Sequence, residues 1–249
     1  MQKHDAAYKA YVQILKEELV PAMGCTEPIA VAYCAAKAKE ALGDIPDKID
    51  IKVSGNILKN VKSVVVPNTG GLTGVEASAA AGIIGGKPEK ELEVISEITP
   101  AQKVQIKNYL REASFTVAPT YGEELLEIII RMEKDGHSAS AHIKKGHANI
   151  VSVEKDGKVL YKKDDCTEAA QGADRSLLNI KDILEFATIA DIEDIREPLQ
   201  KQIECNSAIS DAGLAGDWGA CIGKTLNETQ GDLLRTKAKP AAAAGSDAR

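Results

Sequence analysis

Glu124-Leu125-Leu126-Glu127-Ile128-Ile129-Ile130-Arg131-Met132, the turn pair Asp135-Gly136 and Ser138-Ala139-Ser140-Ala141-His142-Ile143 form two strand-like runs around a hairpin signal. The same pattern continues outward. Phe115 to Val117 precedes these runs, and Ile150 to Val153 and Val159 to Tyr161 follow them, with further turn signals at Lys145-Gly146 and Asp156-Gly157. Short strands punctuated this way describe an antiparallel meander. Upstream, Ile49 to Val53 alternates as a strand, Ser54-Gly55-Asn56 breaks it, and Val61 to Val66 leans towards β structure.

Helical patterns flank the sheet. Tyr8, Tyr11, Val12, Leu15 and Leu19 recur at helical spacing, and Ile29 to Leu42 is apolar and alanine-rich before Gly43 stops it. Pro88 to Ile98 and Pro100 to Ala113 read as two amphipathic helices, the second capped by Thr99. Ile180 to Ala190, Ile192 to Ile209 and Leu233 to Lys239 continue the helical pattern towards the C-terminal end. The expectation is an α+β fold, helices at both ends with a central antiparallel β meander. Its parts are residues 1–45, a helical segment; 46–165, an α+β domain; and 166–249, a helical segment that begins a C-terminal catalytic region.

Composition narrows the function. The 249 residues carry a formal charge of −6, and aromatics are 4% of the chain, so neither a basic patch nor a base-stacking platform is available for nucleic acid. No apolar run is long enough to span a bilayer and Met1-Gln2-Lys3-His4-Asp5 has no signal-peptide core, which reads as a cytoplasmic protein without a membrane partner. The five cysteines, Cys25, Cys34, Cys166, Cys205 and Cys221, lack a C-x-x-C pair, against a disulfide framework or a local zinc knuckle.

One cysteine stands apart by position. Val20-Pro21-Ala22-Met23-Gly24-Cys25-Thr26-Glu27-Pro28 is a tight link between two helices. The second helix is expected to start with Thr26 or Glu27 as cap and Pro28 in its first turn, where a missing N–H costs nothing. At such an entrance the unpaired N–H groups and the helix dipole favour a thiolate, the form that attacks carbon or binds metal. The competing reading is a small buried hydrophobe. Cys34 and Cys205, within helices, are expected to pack; Cys166 falls in a linker, and Cys221 lies in a glycine-rich loop.

A second candidate is Pro67-Asn68-Thr69-Gly70-Gly71-Leu72-Thr73-Gly74, which leads into a small-residue helix from Val75 to Gly82. Backbone N–H groups of Asn68, Thr69, Gly70 and Gly71 would suit a substrate carboxylate, although close packing uses such residues equally well. The run is neither Gly-x-Gly-x-x-Gly nor a P-loop, so a nucleotide gains little support. His137, His142 and His147 recur at five-residue intervals, which on a continuous strand alternates faces and disfavours a shared metal.

The stretch Val20 to Ala30, with the Pro67 to Gly82 segment and the ending Ala243-Ala244-Gly245-Ser246-Asp247-Ala248-Arg249, resembles the bacterial and archaeal L-cysteine desulfidase family. That family is related to the α region of iron-sulfur L-serine dehydratases. The resemblance runs along the whole chain, and its Pro-Ala-Met-Gly-Cys-Thr-Glu-Pro motif is specific. It implies an oxygen-sensitive [4Fe-4S] cluster held by three cysteines, with no pyridoxal phosphate, and conversion of L-cysteine and water to pyruvate, ammonia and hydrogen sulfide. Only one implied ligand maps here, Cys25. In the family the Gly-Ser-Asp-Ala-Arg segment continues into a further cysteine-bearing stretch, so this chain reads as the N-terminal part. A homo-oligomer or a complementary C-terminal chain is the partner expected to complete it, and a small amino acid is the expected substrate. An L-serine dehydratase-type lyase and a truncated non-catalytic chain stay open as alternatives. A conventional thiol enzyme is less favoured, because no histidine is close to Cys25 in sequence. The general base is not assigned.

Overall fold

The computed structural model describes residues 1–163, 172–229 and 237–243. The chain forms two compact units, one from residues 1–21 with the described residues after 171, the other from residues 22–163. The helix that begins after Cys25 therefore belongs with the sheet, whereas the sequence reading groups it with the N-terminal segment.

The larger unit is built on a six-stranded sheet of order β2-β1-β3-β4-β5-β6. Its strands are β1 (Lys48–Val53), β2 (Ser114–Pro119), β3 (Glu127–Lys134), β4 (His137–Lys144), β5 (Ile150–Lys155) and β6 (Lys158–Lys162). The α+β expectation holds, with a mostly antiparallel sheet between helical ends. Asp135 and Gly136 both take positive φ (48° and 82°), as do Asp156 and Gly157 (49° and 75°). That is the geometry tight hairpins need, and it sets the β3–β4 and β5–β6 connections. Phe115 to Val117 departs from the meander. Strand β2 lies parallel to β1, Ile51 opposite Val117, because the chain between them makes the long crossover that a parallel pair requires.

One sheet face is apolar and buried: Ile49, Ile51 and Val53 on β1, Ile128, Ile130 and Met132 on β3, Ala139, Ala141 and Ile143 on β4. Helix α2 (Thr26–Leu42) packs on that face, and α4 (Val75–Gly85) packs on α2. A helix covered on two sides must be apolar nearly all round, and Ile29 to Ala36 is continuously buried. The backbones of α2 and α4 meet at Gly82, where a Cβ would run into the Ala32 carbonyl. Cys34 is fully buried here, its thiol 3.3 Å from the Ala141 carbonyl, and burial pushes its pKa well up. It is a packing residue, as its position in the helix predicts.

Two segments differ from their sequence readings. Val61 to Val66 is not a strand: residues Gly55–Val61 form helix α3, whose Ile57 and Val61 share a buried face, and only a Val65–Thr73 bridge remains beyond it. Pro88 to Ile98 is not a helix either. A 3-10 turn covers Pro88–Glu93, broken at Glu91 (φ 46°), and the Lys87 N–H closes back onto the Val94 carbonyl at 2.9 Å. Helix α5 (Pro100–Glu112) does form, with reciprocal Thr99 and Gln102 capping bonds.

The other unit gathers α1 (Ala6–Glu18), α6 (Ile180–Ile189), α7 (Ile192–Ala215) and α8 (Ile222–Thr229). Tyr8 and Tyr11 meet Phe186 edge to face at 5.2 and 5.4 Å. The Tyr8 hydroxyl donates to Asp194 and accepts from the Asp191 N–H, so both ends of these rings are satisfied. Cys205, expected to pack, is exposed on α7 because the apolar stripe there runs through Ile195 and Pro198 instead. Helix α7 also runs on to Ala215, into the predicted glycine-rich loop, and Cys221 (φ 53°) immediately precedes α8. Residues 237–243 are helical, while Cys166 and most of the predicted Leu233 to Lys239 helix lie outside the described residues. Among the described residues no helix is long and apolar enough to cross a membrane.

The Gly82 contact gives a stability test. Gly82→Ala is expected to cost about 2–3 kcal/mol through overpacking against Ala32, with a lowered denaturant midpoint, whereas Gly136→Ala, in open space, responds only to its positive φ.

Candidate functional site

Cys25 itself, rather than Thr26 or Glu27, is the N-cap of α2, with extended backbone angles (φ −61°, ψ 120°). The helix thus starts one residue earlier than the proline signal suggests. Pro28 then occupies the third helical position, where its missing N–H is still one that no helical carbonyl would have bonded. Met23 anchors the link by donating its N–H to the Leu92 carbonyl at 3.3 Å. Burial of the next turns against sheet and α4 fixes where this helix end lies.

Around it stand side chains from three elements. The Cys25 thiol donates to Glu27 Oε2 at 3.1 Å, and Asn60, near the end of α3, donates to Glu27 Oε1 at 3.0 Å. The Thr26 hydroxyl lies 3.5 Å from Glu27 Oε2 and 3.3 Å from His147 Nε2. His147 belongs to the loop joining β4 to β5, which leaves the sheet at Lys145 (φ 66°) and is tied by Asn149 Nδ2 to the Lys144 carbonyl at 2.8 Å. On a continuous strand the five-residue spacing alternates faces, and the Lys145-Gly146 turn, read as a further separation of the histidines, takes His147 off the sheet. The grouping of His147 and Asn60 with Cys25 has no sequence signal, because it depends on how α3 and this loop pack at the mouth of α2.

Burial by itself would raise the Glu27 carboxyl. Hydrogen bonds from Cys25, from its own backbone N–H and from Asn60 outweigh it, His147 adds to them, and the pKa is lowered overall. An acidic side chain in the first helical turn also matches the positive end of the dipole. The result is a thiol with a carboxylate acceptor in contact, and an imidazole one hydroxyl away.

The histidines do not converge. His137 pairs with Asp156 at 2.9 Å, His142 with Glu127 at 3.1 Å, and His147 with Thr26. Among the described residues no three His, Cys, Asp or Glu side chains are grouped to hold a metal ion by themselves.

The Asn68 loop has the expected form before α4, but its side chains face inward. Asn68 (φ 59°) donates to the Ile95 and Ser96 carbonyls at 3.0 and 3.1 Å. Thr69 is fully buried, donates to the Val66 carbonyl at 2.7 Å and accepts from the Leu72 N–H. Of Asn68 to Gly71, Gly70 and Gly71 are the exposed pair, both with positive φ (76° and 93°), and Thr73 beyond them is exposed as well. Any anion met by this loop would meet glycine backbone, not the Asn68 or Thr69 side chains.

Fold and site together define an α+β protein with a cysteine at the mouth of its most buried helix, flanked by a carboxylate and a histidine. The chain is similar to a UPF0597 protein from Desulfitobacterium hafniense strain Y51, 49% identical over 250 residues. It is also similar to UPF0597 proteins from Finegoldia magna (46% over 242 residues) and Treponema denticola (41% over 256). These matches cover 100%, 97% and 100% of this chain but 58%, 58% and 59% of the relatives, so the chain spans well under two thirds of their length. Their names state no activity. No family model matches the chain, and no solved structure matches it.

The lowered Glu27 pKa fixes the sign of one pH effect. Its contribution to stability is complete above the ordinary value of 4.5 and is lost as pH falls through the lower folded value. Glu27→Gln is therefore expected to reduce stability at pH 7 and to flatten the acid limb of unfolding below about pH 4.5, read by urea titration across pH.

Proposed function

We propose that this chain belongs to an amino-acid lyase resembling L-cysteine desulfidase, acting in the cytoplasm, to which it contributes Cys25 as a cysteine ligand. The observation that supports this most is the placement of Cys25 at the N-terminus of buried α2, hydrogen-bonded to Glu27 with His147 behind Thr26. The specific motif around Cys25 supports the same reading.

A [4Fe-4S] cluster needs several thiolates, and the described residues do not supply them at this place. Cys34 is sealed between α2 and the sheet, and among the described residues no group of His, Cys, Asp or Glu that could hold a metal ion lies beside Cys25. The residues present therefore do not fit a complete cluster. In this proposal the other ligands come from a second copy or a complementary polypeptide, and no reaction step is derived through the cluster.

What the chain's own groups offer is limited and definite. Glu27 holds the Cys25 thiol proton in a hydrogen bond, and the exposed backbone of Gly70 and Gly71 offers N–H groups to a substrate carboxylate. The net reaction removes the α-proton and the β-thiol of L-cysteine, giving hydrogen sulfide and an aminoacrylate that hydrolyses to pyruvate and ammonia. An L-serine dehydratase would remove water instead.

The test is anaerobic reconstitution of the 249-residue chain with iron and sulfide, beside Cys25→Ala, followed by pyruvate assay with L-cysteine and L-serine. The reading predicts iron and acid-labile sulfide retained by the wild type, alone or with its relatives' additional region supplied, and lost in Cys25→Ala. It also predicts more pyruvate from L-cysteine. Equal retention in Cys25→Ala would overturn the ligand role, and pyruvate from L-serine alone would overturn the desulfidase assignment.

A further inference from the structure

A cleft of about 690 Å³ opens between α2, the 3-10 turn and the β5–β6 edge, inside the range of about 300–1,000 Å³ common for small-ligand sites. Cys25, Glu27 and His147 do not line it, although Ala148 and Asn149 of the His147 loop form part of its wall. Its charged lining is acidic in balance, Glu40 and Glu91 against Lys37, and Asn149 in the same wall accepts from Lys163 at 2.7 Å. Lys37 is engaged by Glu40 at 3.1 Å, whereas Glu91 forms no ion pair among the described residues. Glu91 is also held at positive φ (46°), a backbone state that L side chains rarely adopt.

Tyr33 adds an independent observation. It is 5% exposed, yet it lines the cleft and its hydroxyl makes no hydrogen bond among the described residues. The ring is buried and the hydroxyl is its accessible end, open to the cleft and able to take a partner from it. Burial raises its pKa to about 12, with Glu91, Cys34, Glu40 and Tyr161 adding to the effect. Tyr161, on edge strand β6, contributes a second aromatic ring, and Ile150, Val153 and Leu160 supply apolar surface.

We infer that this cleft binds a small primary ammonium ion carrying an apolar body. The ammonium has donors for both the Tyr33 oxygen and the Glu91 carboxylate, and the tyrosine faces attract a cation. The apolar body takes the Ile150, Val153 and Leu160 surface. A carboxylate ligand would meet Glu40 and Glu91 and find Lys37 already paired.

The test is calorimetric titration of the 249-residue chain with phenethylammonium and with its neutral analogue 2-phenylethanol. The ammonium is expected to bind saturably and about tenfold more tightly than the alcohol. Glu91→Gln and Tyr33→Phe, each folded by circular dichroism, are expected to weaken it roughly fivefold while leaving the alcohol unchanged. Equal affinity for the two compounds, no saturable binding to the folded wild type, or variants without effect would overturn the inference. So would a concentration-dependent dimer, seen by light scattering, that buries Tyr161 and excludes the amine.

Discussion

Helix α2 has no side left for water from Ile29 to Ala36, and the rest of the larger unit follows from that. The sheet covers one side through Ile128, Ile130, Ala141 and Ile143, and α4 covers another so closely that Gly82 has no room for a side chain. Interiors are packed to near-crystalline density, so a helix held this way has one position along its axis. Its N-terminus is therefore fixed by the core rather than by the link that precedes it. Cys25 inherits that precision while remaining only half-buried, a combination that a loop cysteine would lack.

Two opposing fields meet at this helix end. The open N–H groups and the dipole favour negative charge on the sulfur, while the Glu27 carboxylate in contact with it disfavours a second negative charge. Asn60 resolves part of the conflict by bonding the far carboxylate oxygen, and Thr26 brings His147 within the influence of the same group. A cation arriving at the sulfur would be welcomed by both the thiolate and the carboxylate. The arrangement thus suits a cysteine that gives up its proton on binding a positive centre better than one kept permanently as a nucleophile. This is the physical content behind the proposed ligand role.

Much of this was legible in the sequence, and what was not has identifiable causes. Asp-Gly pairs announced the hairpins because only positive φ closes them, and Gly43 and Thr99-Pro100 announced helix ends for equally local reasons. The parallel β2–β1 pairing could not be read, since it depends on how the crossover of residues 54–113 packs. Val61 to Val66 misled because a short β-branched run looks alike whether its burial comes from a strand or from the end of a helix. The motif showed where Cys25 stands, yet His147 lies 121 positions from its partner Thr26, in a loop whose direction is set by Asn149 and the β4–β5 register. The Asn68 loop was recognised by its glycines, but the inward turn of Asn68 and Thr69 is a tertiary fact. Their acceptors on residues 66 and 95–98 are what decide it.

The central claim is that His147 and the mouth of α2 form one site. Imidazole nitrogen NMR of the selectively labelled chain, compared between wild type and Thr26→Val, tests it most directly. The His147 resonances are expected to shift while those of His137 and His142, bonded to Asp156 and Glu127, stay in place. Unchanged His147 resonances in a folded Thr26→Val protein would contradict it, because the histidine would then not be where the site requires.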